Sequence, residues 1–229
     1  MEHWLYLFLN AFTISIPAWR SFDKRLNFHR EWPKFFLGAF LVGLVFILWD
    51  IYFTANGIWG FNPRYLSGIE WFGLPLGEYL FFICIPFACV FSYRALGYFL
   101  GEKFHVRNHL WISRILSLAL LTVGLVSWGK WYTSTTFIAL GLYLAAHGWW
   151  WKKRYMGQFY LTYLFILIPF FLVNGVLTGS WIDQEVVWYN DNHNLGFRLG
   201  TIPVEDIFYG MLLILANVDW LENAKTKFS

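Results

Sequence analysis

Two stretches decide the fold. One runs Phe61-Asn62, then Gly68, then Leu74-Pro75-Leu76-Gly77-Glu78-Tyr79-Leu80-Phe81-Phe82. The other runs Tyr189-Asn190, then Gly196, then Ile202-Pro203-Val204-Glu205-Asp206-Ile207-Phe208-Tyr209. Counted from the proline, asparagine falls at −13, glycine at −7 and a carboxylate at +3 in both. Each stretch sets acids at the head of an apolar run. Ionisable groups in such a run are costly and mark function by default, so two matched copies predict a paired active site.

The surrounding composition says what kind of helix follows each proline. The chain has 229 residues, of which 58% are hydrophobic and 14% charged, too apolar for a soluble domain of this size. About 20 apolar residues cross a bilayer as a helix, at about 1.5 Å of rise each. Seven such spans are readable, at roughly 4–20, 33–53, 75–99, 111–128, 133–151, 158–178 and 203–220. The fold class expected is therefore an all-α integral membrane bundle.

Basic residues alternate between the loops. Arg20, Lys24, Arg25, Arg30 and Lys34 separate spans one and two, Lys103, Arg107 and Arg114 separate three and four, and Lys152, Lys153 and Arg154 separate five and six. Lys225 and Lys227 follow span seven, and the opposite loops hold only Arg64, Lys130 and Arg198. The positive-inside rule then puts the N-terminus outside and the C-terminus in the cytoplasm. The net charge of +3 follows from topology and gives no reason to expect nucleic acid. No basic segment with a small-residue cleavage site precedes span one, so no removable signal peptide is expected. Cys84 and Cys89 read as small core residues, and the absence of Cys/His ligand spacing predicts no structural metal.

The repeat extends beyond the motif. Span two ends Asp50-Ile51-Tyr52-Phe53-Thr54 and span six ends Asn174-Gly175-Val176-Leu177-Thr178, each with a polar residue and a threonine four apart on one face. Spans one to three then correspond to five to seven, with span four as connector. One intervening helix leaves both halves in the same orientation, a parallel repeat about an axis along the membrane normal. The expected organisation is a single bundle: repeat one over about 1–100, a connector over about 111–128 and repeat two over about 133–222.

Glu78, Glu205 and Asp206 form the candidate proton-transfer set. A proline followed by an acid is an ordinary helix start, but here the acids enter an apolar setting. Burial favours their protonated form and the helix N-terminus their ionised form, so a pair can hold one of each. Asp50 and Asn174 are placed to hydrogen-bond to them. Asn62 and Asn190 complete the candidate binding set, although both suit holding loop backbone. His147, beside Trp149, Trp150 and Trp151, reads as an interfacial histidine, and His193 as loop surface. The aromatic outer loops 54–74 and 179–202 read as interfacial anchors, some of which could roof a pocket.

The string Phe61-Asn62-Pro63-Arg64-Tyr65, Gly68, Gly73-Leu74-Pro75-Leu76, Glu78, Leu80-Phe81-Phe82, Ile85-Pro86, Ala88-Cys89-Val90-Phe91 and Tyr93 resembles the membrane-integral lycopene cyclase family. That family's repeated motif is Pro-x-Glu-(Glu or Asp), which Pro203-Val204-Glu205-Asp206 fits in full. The resemblance spans nearly the whole chain and is to the fused bacterial type, similar to the cyclase part of the fungal cyclase–phytoene synthase proteins. It implies a bacterial inner (cell) membrane and lycopene, or a related carotenoid, as substrate. It implies a non-redox isomerisation: protonation of a terminal double bond, ring closure through a carbocation, and loss of a ring proton to give a β-ionone end. Gly77 departs from the pattern, standing where the family has its first glutamate. If that glutamate is the proton donor, the departure predicts impaired turnover, and position 77 belongs to the catalytic set under test.

Tyr79, Phe81, Phe82, Phe208 and Tyr209 lie beside the acids and are the candidate substrate-binding aromatics, since aromatic faces stabilise a cation. No Gly-x-Gly-x-x-Gly follows a strand, so no flavin or nicotinamide fingerprint is present and catalysis without a redox cofactor is expected. Other readings remain: a carotenoid end-group hydratase, a non-catalytic carotenoid-binding protein, or a proton-coupled transporter. A retinal photoreceptor lacks its lysine in span seven. Lipid is an expected partner, and homo-oligomerisation is left open.

Overall fold

Seven α-helices stand where the seven apolar spans were read. The computed structural model describes residues 2–226, and Lys227 lies outside them. Among the described residues the helices are α1 (Leu5–Arg20), α2 (Trp32–Ala55), α3 (Leu76–Leu100), α4 (His109–Val126), α5 (Trp131–Ala145), α6 (Met156–Leu177) and α7 (Val204–Thr226). Four segments, Phe28–Ala55, Leu76–Leu100, His109–Val126 and Met156–Leu177, are long and apolar enough to cross a membrane by length and composition. α1 and α5 are shorter, at 16 and 15 residues, and α7 carries Glu205, Asp206 and Asp219.

The bundle is apolar on both its inside and its outside. Phe35, Phe87, Val90, Leu140, Leu144, Phe159, Leu215 and Val218 form the buried centre shared by α2, α3, α5, α6 and α7. Facing outward are Phe40, Leu48, Ile115, Leu164 and Ile168, all well exposed. An apolar belt of that extent marks a surface built for something other than water. Helix approaches are close: Ser117 Oγ donates to the Gly141 carbonyl at 2.7 Å between α4 and α5. Small residues allow such contact where burial alone supplies little drive between helices.

Six short strands sit at one end of the bundle and set the carboxylates in place. β1 (Trp59–Phe61) pairs antiparallel with β4 (Val187–Tyr189), with Trp59 opposite Tyr189 and Phe61 opposite Val187. Next to it are two hairpins of matching register. β2 (Glu70–Trp71) pairs with β3 (Leu74–Pro75), Glu70 opposite Pro75; β5 (Arg198–Leu199) pairs with β6 (Ile202–Pro203), Arg198 opposite Pro203. The first turn has positive φ at both Phe72 and Gly73; the second has it only at Gly200. These are the two backbone solutions that fit a two-residue hairpin.

Each motif proline therefore ends a hairpin, and its helix begins one residue later than a proline in the first helical position would give. Leu76 N–H donates to the Ile69 carbonyl at 2.9 Å and Val204 N–H to the Phe197 carbonyl at 3.1 Å, which locks hairpin to helix in both copies. The asparagines match as well: the Asn62 side chain accepts from Arg64 N–H and that of Asn190 from Asn192 N–H, each at 3.1 Å.

At the opposite end of α7 the structure corrects the reading of His147. α5 widens into a π-helical turn, Ala146–Trp151, and His147 is fully buried with Nε2 2.7 Å from Asp219 Oδ2. The Tyr143 hydroxyl donates to the same oxygen at 2.7 Å. His147 continues the buried face of Phe137, Leu140 and Leu144, and a buried carboxylate needs such partners.

Candidate active site

The Asp206 carboxylate is held from three elements. Tyr132 on α5 donates to Oδ1 at 2.6 Å, Asn174 on α6 to Oδ2 at 2.7 Å, and Tyr189 on β4 to Oδ2 at 3.0 Å. Asp206 is itself 5% exposed. Burial, and next the Asp206 charge, hold the Tyr189 phenol well above the ordinary tyrosine value, so it stays a donor.

Glu78 is the counterpart in the first copy, and its setting differs. Its Oε2 accepts from the Tyr6 hydroxyl on α1. Behind it lies Asp50, 1% exposed, whose Oδ1 accepts from Trp59 Nε1 at 2.5 Å and from Thr54 Oγ1 at 3.3 Å. Asp50 Oδ2 has no donor among the described residues, and the Asp50 and Glu78 side chains interact with one another. Two carboxyl oxygens are joined only by a proton between them.

Glu78 and Asp206 both line one cavity of about 300 Å³, at the small end of the range for small-molecule sites. Tyr6, Tyr132, Asn174, Tyr189 and Tyr209 form its polar end under Trp59 and Phe61. Apolar residues of α3, α6 and α7, among them Phe81, Ile85, Ile166 and Leu213, form the rest. Phe12 and Ile16 of α1, about three-fifths exposed, and Pro169 and Phe170 of α6 stand at the outer wall, so the cavity opens sideways between α1 and α6.

The other sequence candidates fall elsewhere. Glu205 is fully buried but points toward α5 and the loop: its Oε1 accepts from Thr133 Oγ1 at 2.5 Å and from Leu195 N–H at 2.8 Å, and it does not line the cavity. Tyr79 donates to the Trp71 carbonyl at 2.7 Å, Phe82 lies in the buried core, and Phe208 packs on Phe137. Asn62 and Asn190 hold loop backbone, Asn190 also donating to the Gly57 carbonyl at 3.2 Å. None of these five lines the cavity, whereas Phe81 and Tyr209 do.

Gly77 is not a gap. A Cβ there would meet the Tyr6 ring at 2.6 Å, and the Gly77 carbonyl accepts from Asn10 Nδ2 at 2.8 Å. Tyr6 and Tyr132 were not singled out from the sequence. They stand at the starts of α1 and α5, 126 residues apart, and each donates to the carboxylate of its own repeat. Their offset of 126 differs from the 128 of the motifs and the 124 of the α2 and α6 ends, so counting from either does not pair them.

These features define a class: a helical membrane protein with two buried carboxyl centres facing a mostly apolar cavity. The family model described as lycopene cyclase matches residues 3–96 and 129–223, most of the chain, and the chain belongs to that family. The two matched segments begin 126 residues apart, the spacing of Tyr6 and Tyr132. No curated protein and no solved structure matches the chain.

Proposed function

We propose that this chain closes the linear end groups of lycopene, or of a related carotenoid, into β-ionone rings by proton-initiated isomerisation without a redox cofactor. The observation that carries the reading is that Glu78 and Asp206, at one motif position in two copies, face a single apolar cavity. Ring closure of a hydrocarbon needs one group to give a proton and another to take one. It also needs water kept from the cation, and aromatic faces nearby, each contributing about 0.5–2 kcal/mol. Tyr209, Phe81 and Trp59 supply such faces.

Gly77 is consistent with an active chain, because the Tyr6 ring fills the space and brings its hydroxyl to Glu78. Glu205 is read as the anchor of the loop through Leu195, not as a proton carrier. Asp50 and Asn174 are read as positioning partners of the two cavity carboxyls.

The same proposal includes the arrangement in the membrane. All seven helices cross, as two parallel three-helix repeats about α4, with the N-terminus outside and the basic loops in the cytoplasm of a bacterial cell. A two-fold axis along the membrane normal is supported by the β1–β4 register. Displacing each strand residue by 128 exchanges Trp59 with Val187 and Phe61 with Tyr189, and carries the antiparallel pair onto itself.

Expression in a bacterium that accumulates lycopene tests the function. Chromatography is expected to show a ringed pigment of unchanged mass. A pigment heavier by one water would replace the reading with a hydratase, and unaltered lycopene with the protein present in the membrane would reject an enzyme acting on it.

A further inference from the structure

Resting on that reading, we infer that the two repeats divide the proton chemistry: the Asp50–Glu78 pair gives the proton that starts ring closure, and Asp206 takes the one that ends it. The bonds around each centre carry the assignment. An ionised carboxylate only accepts, through about four lone-pair sites on its two oxygens. Asp206 accepts from three donors and donates to none, so its bonds are those of a carboxylate, with one site left toward the cavity. In the first copy a second acid replaces the asparagine of the other repeat. Both donors to Asp50 go to Oδ1, Oδ2 has none, and the neighbouring side chain it interacts with is the acid Glu78, an arrangement that stores a proton. Glu78 lines the cavity and Asp50 stands behind it, so the stored proton leaves through Glu78.

The balance closes. The Glu78 O–H bond breaks and its proton forms a C–H bond with the π pair of the terminal alkene. The second alkene's pair closes the ring onto the cation. Asp206 removes a ring proton, and that C–H pair becomes the ring double bond. The proton left on Asp206 then returns to the Asp50–Glu78 pair before the next turnover, and nothing is oxidised or reduced. Trp59 and the Tyr6 hydroxyl hold the charge that develops on the first centre after it gives up its proton.

Membranes containing the full chain, given lycopene in D2O, separate the two roles, because deuterium in the recovered substrate reports protonation independently of ring formation. Asp206→Asn is expected to lower ringed product by about 10²-fold or more while recovered lycopene gains deuterium at its end groups, since protonation still occurs and reverses. Glu78→Gln and Asp50→Asn are expected to lower product to a similar degree and leave recovered lycopene unlabelled. Variants are compared at equal membrane content. Should Asp206→Asn not accumulate, Tyr189→Phe takes its place, with slowed ring formation and retained labelling expected. Labelling that survives in Glu78→Gln and vanishes in Asp206→Asn would reverse the assignment, and labelling lost in all variants would overturn it. No ringed product and no label with the unaltered chain would instead overturn the cyclase reading itself.

Discussion

Glu78 and Asp206 each stand three residues after a hairpin-ending proline, and each accepts from a tyrosine at the start of its repeat's first helix. Their second neighbours differ by one atom's chemistry. Asn174 gives Asp206 a donor, while Asp50, at the corresponding end of α2, gives Glu78 another acceptor. Hairpins of matching register thus lead to one centre filled by donors and one short of them. On the proposed division of roles, a single amide-for-carboxyl difference separates two tasks on one repeated scaffold.

Asn174→Asp attacks that difference directly. It would strip a donor from Asp206 and put a second acid beside it, so ring formation is expected to fall by about 10²-fold, read as ringed pigment per unit of membrane protein. The double variant Asp50→Asn with Asn174→Asp exchanges the two settings. It is expected to stay as impaired as the single variant, because Glu78 accepts from one tyrosine, Tyr6, whereas Asp206 accepts from two, Tyr132 and Tyr189. Recovery to near the unaltered rate would mean that the centres are interchangeable.

Gly77→Glu probes the first centre by volume. The new side chain would displace the Tyr6 ring, at a cost of about 1–3 kcal/mol of overpacking, seen as a lower midpoint of thermal unfolding in detergent and as weaker activity. Adding Tyr6→Ala is expected to restore the midpoint in part and not the activity. Trp59→Phe removes one donor from Asp50, with an expected loss of about 1–3 kcal/mol in stabilisation, measurable as slower turnover. Smallest should be Glu205→Gln, which keeps an oxygen for Thr133 and Leu195: a rate loss below tenfold, accompanied by a lowered unfolding midpoint.

Much of the bundle was legible because apolar runs of membrane length leave few alternatives, and the motif offsets fixed Glu78 and Asp206 as counterparts. The roof was not legible. Its strands are two or three residues long, too short to show alternation, and the partner of Trp59 lies 130 residues away at Tyr189. Nor does spacing report which way an acid points: Glu205 and Asp206 are adjacent, so they leave α7 about 100° apart and only one reaches the cavity. His147 continues the buried face of Thr133, Phe137, Leu140 and Leu144 at helical spacing, and the three tryptophans after it masked that face as an interface.

The sideways mouth between α1 and α6 has a consequence for a substrate with two like ends. On the proposed reading, the cavity of about 300 Å³ takes in one end group, and the remainder of a long polyene lies out among the lipid tails. For the far end to react, the molecule has to withdraw, turn end over end in the bilayer, and dock again. On the proposed reading, a pigment with one ring and one open end is then a free species in the membrane, and its share among the products rises and falls with how easily the lipid lets it turn.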